Sequence, residues 1–199
     1  MNLKKIKFIK FSALVLIAAI FCFISFLVLA GQYTHRHCLK QAAGAFMMYS
    51  AEHFGRFPYS TNGFGDALLQ LAGSNSTNDY LGGFVECLCA PGDDGKYLKE
   101  ALENHTIVSE ERCTRVYIQG LCETNDPQLC ILFDRNSCKG GDHGRSPWGH
   151  PLREVCLLDG SMQIVRDEEW PEFSRKQVEL LVAAGFTRTN ALHFYPAAK

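Results

Sequence analysis

The feature that most constrains this chain is an uncharged apolar run of twenty residues, Phe11 to Ala30, preceded by Lys4, Lys5, Lys7 and Lys10. At helical rise, twenty residues cover about 30 Å, the thickness of a bilayer's hydrocarbon core. The lysines lie on one side only, which by the positive-inside rule places the N-terminus in the cytoplasm and the rest across the membrane. The expectation is a single-pass inner-membrane protein. Residues 1–10 form a cytoplasmic basic segment, 11–30 an anchor bounded by Phe11 and Ala30, and 31–199 an exported, periplasmic domain. A cleaved secretory signal is the alternative, since Val28 and Ala30 precede Gly31 in a small-residue pattern. The run is longer than a usual signal core of about 7–15 residues, which favours retention.

The 169 residues after Ala30 are enough for one domain with a real core. They hold all 21 acidic residues and 16 of the 20 basic ones, a net charge of −5 with histidine neutral. No basic stripe points to nucleic acid. Eight cysteines lie in this part: Cys38, Cys87, Cys89, Cys113, Cys122, Cys130, Cys138 and Cys156. An even count in an exported domain predicts up to four disulfides, with roughly a hundred possible pairings. Zinc fits less well, because Cys87-Leu88-Cys89 is one residue short of the usual ligand spacing.

Leu39, Ala42, Ala43, Phe46, Met47 and Phe54 recur at helical spacing on one side of Gln32 to Phe54, predicting a second, amphipathic half of one long helix. Gly55 and Pro58 end it. Short helices are predicted at Phe64 to Leu71 and Lys96 to Glu103, and strands at Arg115 to Gln119 and Leu129 to Phe133. A hairpin is predicted at Glu154 to Val165, turning at Asp159-Gly160. Ser174 and Gln177 read as a capping box with Phe173 and Val178 as its staple, opening a last helix that ends before Gly185. The fold class is α+β: a long N-terminal helix packed on a small antiparallel sheet, stapled by disulfides.

Several stretches carry a family resemblance. Cys38-Leu39-Lys40-Gln41-Ala42, Met48-Tyr49-Ser50-Ala51-Glu52 and Gly55-Arg56-Phe57-Pro58 resemble the end of the first helix in type IV pilin-like proteins. These include the type II secretion pseudopilins and the planctomycete-type pilin-like group. Ser146-Pro147-Trp148-Gly149-His150-Pro151 is similar to a loop of the major pseudopilin, and Val155 to Val165 to the terminal hairpin of the planctomycete group. Phe84 to Pro91 is faintly similar to a cysteine-proline element there. The chain departs from the family at the prepilin-peptidase site, where Lys10 replaces glycine and Val15 replaces glutamate. The resemblance implies a non-enzymatic structural or interaction protein. Its implied partners are membrane lipid, like subunits or secretion-system components. It also implies calcium near the C-terminal loop, with Asp134 and Asp142 as oxygen donors.

The residues themselves contain no EF-hand spacing, nucleophile elbow, phosphate loop or dinucleotide fingerprint. His143 and His150 have no familiar ligand spacing. Two other readings stand beside the pilin-like one. One is a disulfide-rich ligand-binding module using the loop from Asp134 to Pro151. The other is a metal-dependent enzyme using Asp142, His143 and His150.

Overall fold

A computed structural model describes residues 3–73, 78–90, 93–138 and 151–195, with side chains from 15–26 and from 39 onward. Helix α1 runs unbroken through Leu3–Glu52, because nothing before Gly55 interrupts it except isolated glycines. Helices α2 (Phe64–Leu69) and α3 (Lys96–Asn104) come next, then strands β1 (Arg115–Tyr117) and β2 (Cys130–Asp134). Strands β3 (Leu152–Leu157) and β4 (Met162–Arg166) form the hairpin, and the chain ends in α4 (Trp170–Ala183) and α5 (Arg188–Phe194). Short 3-10 turns lie at Gln70–Ala72, Val85–Leu88 and Glu110–Arg112. The sheet is antiparallel throughout, in the order β1-β2-β3-β4.

Strand register sorts the core into two faces. Tyr117, Leu132, Cys156 and Met162 stand in one cross-strand row, and Val116, Phe133, Val155 and Gln163 in the next. Side chains of adjacent rows point to opposite faces. The first face meets α1, where Phe46 stacks on Tyr117 with centroids 5.0 Å apart. The second meets α4 and the C-terminal segment, where Phe133 stacks on Tyr195 at 4.9 Å and packs against Trp170 at 5.3 Å. The sheet is therefore the middle layer between α1 and the C-terminal helices.

Several expectations are corrected. Among the described residues, no helix is long and apolar enough to cross a membrane. The anchor from Phe11 to Ala30, the transmembrane half of the fold and the inner-membrane location are thus not supported. The disulfide staples are also overturned. Among the described residues, Cys89, Cys113, Cys122, Cys130 and Cys156 are free thiols. Most of these cysteines are buried among apolar side chains, where a thiol packs as a small hydrophobe. The side chain of Cys38 lies outside the described residues.

The predicted capping box also fails. Pro171 takes the first turn of α4, so the helix begins at Trp170 and Ser174 falls inside it. Ser174 Oγ donates back to Pro171 O at 3.1 Å. Gln177 instead reaches across to β2, accepting from Cys130 N at 2.8 Å and donating to Gln128 O at 2.9 Å. Helix α5, capped by Thr187 accepting from Asn190 N, has no counterpart among the elements expected from the sequence.

Candidate functional site

The surface that sets this chain apart begins where α1 leaves the domain. Leu39, Ala42, Ala43 and Phe46 are buried, as their spacing predicts. Between Val15 and Phe26 the same helix has eight large apolar residues, 45–72% exposed. They lie all round the helix rather than along one stripe. A helix that is apolar on every side needs a cover, and a patch of this extent marks an interaction surface. Cys22, a free exposed thiol, sits within it.

The other end of the packed part of α1 is unusual in a different way. Phe54 does not join the apolar stripe its spacing suggests. It lies past the end of the helix, 98% exposed, with φ +56°. Gly55 comes next at φ +76°, where a left-handed turn suits glycine. The turn is pinned from several sides. Gly55 N donates to Ser50 O at 2.9 Å, and Glu123 N donates to Gly55 O at 2.9 Å. Ser50 Oγ donates to Glu123 Oε1 at 2.7 Å, and Arg56 bridges to Cys122. Tyr80 Oη and Asn78 Nδ2 donate to Glu52 Oε2 at 2.6 and 2.7 Å, and the Tyr80 hydroxyl holds that carboxyl below its usual range.

Asp134, expected as a cation ligand, is fully buried on β2. Its Oδ1 accepts from Arg115 Nε at 3.0 Å and its Oδ2 from Glu154 N at 3.0 Å. A cation there would have to displace a guanidinium. Asp142, His143 and His150 lie outside the described residues. Asp159 is a turn residue, its Oδ1 accepting from Ser161 N at 2.9 Å. Among the described residues no group of histidines, cysteines and acids is placed to hold a metal.

An aromatic pocket of about 160 Å³ opens between β2, β3 and the C-terminal helices, lined by Phe64, Phe133, Trp170 and Tyr195. Its charged rim is cross-braced within the chain. Arg135 donates to Cys113 O and Glu110 O at 2.8 and 2.7 Å. Arg153 pairs with Asp167 at 2.7 Å and lies 4.3 Å over the Trp170 ring. His193 Nε2 meets Glu110 Oε2 at 3.1 Å. No family model matches the chain, and no curated protein and no solved structure is significantly similar to it.

The buried thiols offer no ready nucleophile. Burial pushes Cys89 and Cys156 up to about 12 and Cys113 up to about 11, so they stay protonated near neutral pH. The sequence did not single out the Arg115 side chain, and it gave Gln177 and Phe54 other roles, one as a capping-box partner and the other as a stripe residue.

Proposed function

We propose that this protein is a non-catalytic, pilin-like structural subunit that associates through its long N-terminal helix. The observation that carries the reading is the segment Val15–Phe26, which stands clear of the domain with apolar side chains exposed on every side. Like helices from other subunits would cover it by mutual burial, at about 25 cal/mol per Å² of apolar surface removed from water. The packing of α1 across a four-stranded antiparallel sheet is what a pilin-like subunit needs: a rigid rod held by a small domain. The internally braced aromatic pocket and the protonated thiols fit a scaffold better than an enzyme.

The test uses Cys22. Full-length protein is treated with a short bis-maleimide and run on a denaturing gel. The reading expects a covalent dimer that disappears in Cys22→Ser. A strictly monomeric protein by light scattering, with no Cys22-dependent dimer, rejects it.

A further inference from the structure

Strand alternation gathers an unusual set of groups on the α4 side of the sheet. Arg135 follows Phe133 by two residues and Arg153 precedes Val155 by two, so both stand on the face that Phe133 and Val155 share. The floor beside them is aromatic. Phe133, Trp170 and Tyr195 are buried, with ring centroids 4.9 to 6.0 Å apart. Each guanidinium lies over a ring, Arg153 at 4.3 Å from the Trp170 centroid and Arg135 at 5.9 Å from that of Phe64. These residues line the cavity of about 160 Å³.

Electrostatics set the sign of a ligand. Clustered aromatic faces favour a cation, but Arg153 already takes the face of Trp170. Arg153 Nη1 pairs with Asp167, while its buried Nε has no hydrogen-bond partner among the described residues. A buried donor without an acceptor is costly, and an incoming acceptor would satisfy it. Arg135 is held by the carbonyls of Cys113 and Glu110, which carry no negative charge. Of the acids on the rim, Glu110 is occupied, its Oε1 by Phe64 N at 2.9 Å and its Oε2 by His193 Nε2 at 3.1 Å. Glu111 is exposed, where water and salt screen it. The rim therefore favours an anion.

Size selects the rest of the ligand. An apolar cavity of roughly 150 Å³ holds one benzene ring. At about 160 Å³ this one admits a single six-membered ring with a small substituent. Inorganic phosphate would meet the arginines but leave the aromatic floor unused.

We propose that this cavity binds a small aromatic carboxylate. Its ring packs against Phe133, Trp170 and Tyr195, and its carboxylate accepts from Arg153 Nε with the Arg135 charge nearby. Burial of the ring supplies attraction, and the charge-assisted hydrogen bond orients it. The site goes beyond assembly through α1 and does not depend on it.

Benzoate is the probe. It is titrated into full-length Trp148→Phe protein, in which Trp170 is the remaining tryptophan, and the Trp170 emission is followed. A saturable change is expected. Benzamide, which lacks the charge, benzylamine, which reverses it, and inorganic phosphate, which lacks the ring, are each expected to bind at least tenfold more weakly. Arg153→Met in the same background is expected to weaken benzoate at least tenfold with the circular dichroism unchanged. Should that variant fail to fold, the comparison of benzoate with benzamide on the parent chain decides alone. No saturable change with benzoate, an equal response to benzamide, or full affinity in folded Arg153→Met overturns the site.

Discussion

Arg115 and Asp134 form an ion pair at 3.0 Å with both side chains fully buried. They stand directly opposite one another on β1 and β2. Arg115 also donates to Cys87 O, and Asp134 also accepts from Glu154 N, so the pair ties the 3-10 turn at Val85–Leu88 and strand β3 into one network. Removing one member leaves an uncompensated buried charge, which costs about 3–5 kcal/mol. Arg115→Met and Asp134→Leu are each expected to lower unfolding free energy by that amount in urea titrations. The double variant is expected to recover much of the loss, because apolar residues of similar volume replace a buried pair at little cost.

The thiols predict an alkaline limit to stability. Burial raises Cys89 from 9.0 to about 12 and Cys113 from 9.0 to about 11. The folded state therefore holds these protons more tightly than the unfolded chain. Their contribution is complete below about pH 9 and is lost as pH rises towards 12, since stability falls wherever the native state binds more protons. The midpoint in urea is expected to decline over that window, and to decline less steeply in Cys89→Ala. At pH 8, iodoacetamide is expected to label Cys22 and the half-exposed Cys122 quickly and Cys89 and Cys113 only on unfolding.

Phe54 predicts a stabilising variant. Phe54→Gly removes the left-handed penalty at φ +56° and is expected to raise the monomer's unfolding free energy by about 1 kcal/mol. A glycine variant that loses stability would mean that the ring packs on its own domain.

How much of this was legible in the sequence depends on the range of each interaction. The hairpin around Asp159-Gly160, helix α3 and the buried stripe Leu39, Ala42, Ala43 and Phe46 came from local rules, because turn chemistry and helical period act within a few residues. The partner of Arg115 did not, because it lies 19 residues away in sequence and neither residue announces burial. An even cysteine count suggested crosslinks, yet Cys89, Cys113, Cys130 and Cys156 satisfy their environment as buried hydrophobes. Phe54 fitted the apolar period and was still misplaced, since periodicity says nothing about where a helix stops.

The misread capping box yields the last prediction. Were Ser174 the N-cap, Ser174→Ala would cost about 1 kcal/mol and Gln177 would matter less. The observed geometry inverts that order. Ser174 Oγ only donates to Pro171 O within the first turn of α4, an interaction that contributes little inside a helix. Gln177 is 2% exposed and satisfies two backbone groups beside β2, Cys130 N and Gln128 O. Cys130 sits at the register shift between β2 and β3, where the ladder leaves an amide to be satisfied by a side chain. Gln177→Leu strands both groups at about 1–3 kcal/mol each, whereas Ser174→Ala is expected to change stability by less than about 0.5 kcal/mol. Hydrogen exchange gives the sharper readout: in Gln177→Leu the Cys130 amide is expected to exchange much faster while amides within α4 keep their protection. Faster exchange at the start of α4 in Ser174→Ala would restore the cap and remove the strand clamp.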